Sequence, residues 1–148
     1  MKLSEHFDLE EFTRSETAVA HGIDNTAPAP IVVKLTRLAT TLEKVRAILG
    51  HPLTITSGYR SPALNAAVGG VGDSAHLHGL AADFVCPGFG SPIEVCRELE
   101  KHARELEFDQ LIHEHFGTAD WTHFGLRDDV SRFMAFTMDG LGTRPGFA

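Results

Sequence analysis

The chain has 148 residues, of which 43% are hydrophobic, and a formal net charge of −7. That length fits a single compact domain, 1–148, and the apolar fraction excludes a disordered chain. The acidic balance argues against a nucleic-acid module, which needs a basic surface to meet phosphates.

No apolar run approaches the roughly 18 residues of a membrane span, so no stable membrane insertion is expected. Residues 1–8 lack the apolar core of a secretory leader, so synthesis in the cytoplasm without a signal peptide is expected. In that compartment Cys86 and Cys96 are expected as free thiols. A monomer is expected.

In chain order, Asp8 with Glu11 three residues later reads as a capping box opening a helix to about Ser15. A turn-rich connector follows at Asp24–Pro30. From Pro30 to Leu49 the residues Val32, Leu35, Leu38, Leu42, Val45 and Leu49 recur at helical spacing, and Gly50 ends the run. Leu53–Ser57 reads as a strand. Ser61-Pro62 opens a short helix to Val68, and Val71–Ala75 reads as loop. Leu80–Val85 reads as a second strand. Ser91-Pro92 with Glu94 opens a helix to about Leu106. Phe108–His115 and Trp121–Leu126 read as an antiparallel pair joined around Gly117, and Arg132–Met138 as a last strand. The class is α+β: a small, mostly antiparallel sheet with helices on one face.

Nine histidines are many for this length, and six lie between positions 76 and 123. His76 and Asp83 flank Gly79, and Asp83 sits in an otherwise apolar strand, a costly place for a carboxylate unless it is paired or metal-bound. Zinc accepts imidazole nitrogen and carboxylate oxygen at about 2.0–2.2 Å and keeps one position for water in catalytic sites. His123 offers a third ligand. Asp120, three residues upstream, is placed to take a proton from water if the strand bends there, since strict alternation sends positions 120 and 123 to opposite faces. Arg60, between Gly58 and Pro62, is suited to hold a carboxylate or an oxyanion.

These segments together resemble a known family. Ser57-Gly58-Tyr59-Arg60-Ser61-Pro62, Leu64-Asn65-Ala66-Ala67-Val68-Gly69-Gly70, Ser74-x-His76-x-x-Gly79-x-Ala81-x-Asp83 and Trp121-x-His123 are similar to the M15 zinc peptidases. Those enzymes include D-alanyl-D-alanine carboxypeptidases, dipeptidases and phage endolysins that cut L-alanyl-D-glutamate bonds. The resemblance covers roughly residues 1–127, most specifically 57–83 and 109–123. It implies the fold shared with the Hedgehog signalling domain, zinc on His76, Asp83 and His123, Asp120 as base, and Arg60 and Ser74 on the substrate. Glu114 is the alternative base, though its strand resembles one in which the acid supports the site from behind. His78 is left off the metal, lining the cleft or supporting it. His113 and His115 are expected to face solvent or make sheet-edge hydrogen bonds. Tyr59 and Trp121 are expected in the core or the cleft wall.

The implied substrate is a peptidoglycan peptide. The bond is the L-alanyl-D-glutamate link if the chain is endolysin-like, acting then on the cell wall, or the terminal D-alanyl-D-alanine link if it is a carboxypeptidase. A non-enzymatic zinc-stabilised binding module is the rival, and the acid at position 120 counts against it.

Overall fold

A computed structural model describes residues 1–148. Helix α1 is Leu9–Thr13, and Asp8 and Glu11 form the capping box expected of them. A second short helix, α2, covers Glu16–His21, with the Ser15 side chain accepting from the Ala18 amide. The sequence signals end the first helix near Ser15 and do not announce this second one. Helix α3, Ala29–Leu49, buries Leu35, Leu38, Ala39, Leu42, Val45 and Leu49 and ends at a left-handed Gly50. Each large aliphatic side chain so removed from water contributes about 1.5–3 kcal/mol before entropy is counted.

Strand β1, Thr54–Ser57, is followed by α4, Pro62–Ala67, capped by Ser61. Between the loop expected at Val71–Ala75 and the strand expected from Leu80, a 3-10 turn forms at Ala75–His78, capped by Ser74 and closed by Gly79 at φ 69°. Strand β2 is Ala81–Val85. The helix expected to run from Ser91 to Leu106 is two: α5, Pro92–Glu100, and α6, Ala103–Leu106. The Lys101 and His102 amides bond only three residues back, to Glu98 and Leu99, and this tightening offsets the second piece.

Strands β3, Gln110–Phe116, and β4, Ala119–Gly125, form the expected hairpin. Strand β5, Met134–Asp139, lies parallel to β3, and a further strand not read from the sequence, β6, Gly142–Pro145, pairs with β5. The sheet order is β1-β2-β4-β3-β5-β6, with β3–β5 the one parallel pair, so the sheet is mostly antiparallel.

One face of this sheet carries Ile55, Ala82, Phe84, Leu111 and Phe124 into the core under the helices. Helix α5 packs on β3 and β4 there, and the Thr122 hydroxyl donates to the Pro92 carbonyl at 3.3 Å. Both cysteines are free and buried, and burial pushes the Cys96 thiol up to about 12. The other face of the sheet lies open toward the 3-10 turn, and the chemistry gathers there. No helix is long and apolar enough to cross a membrane.

Candidate metal centre and catalytic cleft

Strand pairing brings the distant residues together. Asp83 on β2 stands directly opposite His123 on β4, and His123 opposite Ile112 on β3. The 3-10 turn delivers His76 beside them. Two contacts fix that turn. The Ser74 hydroxyl accepts from the His76 amide at 3.2 Å, and the Arg60 amide donates to the His76 carbonyl at 3.1 Å. A β-carbon on Gly79 would stand 2.9 Å from Ile31 Cγ2, so glycine serves both its left-handed φ and the close packing on α3.

His76, Asp83 and His123 are 2%, 5% and 7% exposed. His76 Nε2 lies 3.4 Å from Asp83 Oδ2, and His123 Nδ1 lies 3.0 Å from Asp83 Oδ1. One donor atom from each falls within 4.8 Å of the others.

The tautomers follow from the outer partners. His76 Nδ1–H donates to the Gly58 carbonyl at 2.7 Å, which leaves Nε2 with a lone pair facing Asp83. That Nε2 is buried with no hydrogen-bond partner. His123 lies between two acceptors, with Nδ1 3.0 Å from Asp83 Oδ1 and Nε2 3.3 Å from Gln110 Oε1; when Nε2–H donates to Gln110, the Nδ1 lone pair is left for a cation beside the same carboxylate. Two lone pairs aimed at one carboxylate repel unless a cation or a proton lies between them. Two imidazoles and a carboxylate, each ring oriented by a hydrogen bond at its other nitrogen, suit a zinc ion.

Without a cation, the same contacts act as a proton-sharing network. Burial opposes ionisation of Asp83, but the two histidines outweigh it and hold the carboxyl well below the usual range. Burial likewise resists charge on the His123 ring, and the facing Asp83 carboxylate overcomes it and raises the ring's pKa.

A cavity of about 300 Å³ opens over these residues, lined also by Arg60, Ser74, Glu114, Trp121, Phe136 and Met138. Glu114 points into it from β3, with Oε2 3.9 Å from His123 Nδ1 and accepting from Trp121 Nε1–H at 3.0 Å. Burial, helped by the Asp83 charge, raises its pKa above the ordinary carboxylate value. Arg60 reaches Asp83 Oδ2 at 3.7 Å and donates to Asn65 Oδ1 at 3.4 Å. Arg60 also borders a second hollow of about 500 Å³ that extends along β1 to Arg14 and Ser15.

The bend expected at Asp120 is absent. The β3–β4 register runs unbroken from Gln110↔Gly125 to Phe116↔Ala119, so Asp120 and His123 take opposite faces. Asp120 lies on the helix side, where its Oδ1 accepts from His113 Nε2–H at 2.7 Å. His113, expected at the surface, is buried there. Glu114, one residue further along β3, takes the open face. His78 turns outward to Asp73 at 3.3 Å and does not join the cluster. Tyr59 is in the core, and Trp121 walls the cleft. Gln110, which orients His123, had gone unremarked in the sequence. Its signal was register: it precedes Ile112 and Glu114 at steps of two on one strand face.

The family model for Peptidase M15 matches residues 5–124, most of the chain and every residue of the cluster. The chain belongs to the M15 peptidase family. No curated protein gives a significant match. As an M15 member the protein is a peptidase, a hydrolase acting on a peptide substrate.

Proposed function

We propose that this M15 peptidase is a zinc enzyme of bacterial cell-wall peptides, with Glu114 rather than Asp120 as its proton-transfer group. The observation that carries the reading is the convergence of Glu114 and the His76–Asp83–His123 cluster on one cavity. His76, Asp83 and His123 would hold the zinc. When bound, zinc polarises a carbonyl and lowers the pKa of water toward about 7.

The remaining work falls to the chain. Glu114 takes a proton from the attacking water and returns it to the leaving amine. Its raised pKa suits a group that must carry that proton between the two steps. Trp121 Nε1–H fixes its Oε2. Arg60 supplies a guanidinium for a substrate carboxylate or a developing oxyanion. Ser74 borders the cavity, and its hydroxyl oxygen, by accepting from the His76 amide, holds the turn while leaving its O–H to donate to substrate.

The preferred bond is the L-alanyl-D-glutamate link of peptidoglycan, an endolysin-like activity at the cell wall. Its D-glutamate carries a free α-carboxylate beside the scissile bond, which Arg60 can bind. The second hollow beyond Arg60 leaves room for the chain to continue, as an endopeptidase requires. A D-alanyl-D-alanine carboxypeptidase is the second reading, favoured by the same guanidinium, since that substrate ends in a carboxylate.

Mass spectrometry of purified muropeptides incubated with the zinc-loaded protein decides. New fragments beginning with D-glutamate support the endopeptidase. Loss of terminal alanine alone supports the carboxypeptidase. Muropeptides that are bound but uncut would overturn both in favour of a binding module.

A further inference from the structure

The β3–β4 hairpin carries a second cluster on the face opposite the cleft. His113 and His115 leave β3 two residues apart, on one face, and Asp120 stands directly across from His115 on β4. One donor atom from each lies within 4.8 Å of the other two. Imidazole and carboxylate donors sharing one zinc at about 2.0–2.2 Å are spaced by roughly 3–4 Å, so rotation of the exposed His115 ring closes the set.

His113 is 6% exposed and directs Nε2 at Asp120 Oδ1, 2.7 Å away, while its Nδ1 is buried without a partner. The ring's polar engagement is therefore entirely toward the cluster. The His113 and His115 rings meet edge to face with centroids 6.1 Å apart. Asp139 is paired with His115 in the β5 register, but Arg144 occupies its carboxylate at 2.7 Å. Cys96, on the same side, faces the Thr122 hydroxyl at 3.6 Å. The available donors are the two histidines and Asp120.

We propose that His113, His115 and Asp120 form a second metal site, for a divalent d-block cation such as Zn²⁺. Two imidazoles and one carboxylate are too nitrogen-rich for calcium or magnesium, which take oxygen ligands. The ion takes the place of the His113–Asp120 hydrogen bond: it binds the Nε2 lone pair of the neutral ring, whose one N–H proton then resides on Nδ1. Exposure of His115 leaves the remaining coordination positions to water, so this site binds more weakly than the buried cluster. A cation here ties β3 to β4 behind the strands that carry Glu114 and His123. The inference rests on this geometry alone and stands whether or not the chain cuts cell-wall peptides.

The test is the stoichiometry of the chelator-stripped full chain titrated calorimetrically with Zn²⁺, and with Co²⁺ followed by its visible absorption. The wild type is expected to take two ions. The His115→Ala variant, altered at an exposed position, is expected to take one, with affinity at the second site lowered by at least about 100-fold. Asp120→Asn, which preserves side-chain size, should behave alike. His76→Ala should lose the other ion and keep this one. A wild-type chain that saturates at one ion with no response to His115→Ala overturns the site, as does a His115→Ala chain that still takes two.

Discussion

His113 Nε2 meets Asp120 Oδ1 at 2.7 Å on the helix-covered side of the sheet, while Glu114, the very next residue, lies on the cleft side. The pairing assigns the two acids of the hairpin to different tasks. Glu114→Gln should lower kcat by about 10²–10⁴-fold with zinc content unchanged. Asp120→Asn should keep kcat within about threefold, because its side chain faces away from the reacting atoms. Peptidase assays on both variants, alongside metal analysis, check this. Full activity in Glu114→Gln would return the base to another residue.

Gly58 offers a second test. A β-carbon there would fall 2.5 Å from the Phe12 carbonyl oxygen and 2.7 Å from Phe12 Cα, backbone atoms that cannot swing aside. The Gly58 carbonyl is also the acceptor that sets the His76 ring. Gly58→Ala is expected to cost about 1–3 kcal/mol of stability by overpacking. It should also weaken zinc about 10–100-fold, by loosening the hydrogen bond behind a ligand. Denaturant midpoints and zinc titrations measure the two effects separately.

Chelation should stop catalysis without unfolding the chain. The main core is 24 buried residues under the helices, and the metal cluster sits on the other face of the sheet. Far-UV circular dichroism of the stripped protein should match the loaded form, and zinc should restore activity. Loss of secondary structure on chelation would instead mark the metal as a folding element.

The Asp109–Arg132 pair gives a pH prediction. Asp109 is buried and accepts from Arg132 at 2.7 and 2.9 Å, and this guanidinium holds its carboxyl below the ordinary value against the opposing effect of burial. A carboxylate whose pKa is depressed by folding stabilises the native state above the unfolded value, near 3.9. That stability is lost as pH falls through the lower folded value. Asp109→Asn should therefore cost about 1–2 kcal/mol at neutral pH, in the lower part of the range for charged hydrogen bonds because Arg132 is half exposed. The difference in urea midpoint should hold down to about pH 4 and close below it. A difference that does not vary with pH would discount the ion pair.

What could be read from the sequence was local or carried by a dense motif. The Asp8–Glu11 and Ser91–Glu94 boxes are signals within one turn, and α1 and α5 begin where they place them; the α3 stripe repeats along the whole helix, which starts one residue before the expected Pro30. The run from His76 to Asp83 condenses into one turn and one strand. The misses are questions of register or of distant pairing. Strand β6 buries none of its four residues and so shows no alternating pattern. The parallel pairing of β3 with β5 joins strands with no turn between them to announce it. Asp120 was drawn toward His123 by a three-residue motif, whereas an unbroken ladder sends it the other way. A single-residue bulge would have reversed that outcome, and nothing in Asp120-Trp121-Thr122-His123 marks its presence or absence.

The contact behind His76 reaches further than the cleft. The Tyr59 amide donates to the Phe12 carbonyl at 2.6 Å, so helix α1 grips the same short segment whose Gly58 carbonyl aims the imidazole. A five-residue helix outside the cleft lining thus acts as the backstop of the His76–Asp83–His123 cluster. A change in how this helix seats against Gly58 would detune zinc affinity from behind, without altering a ligand.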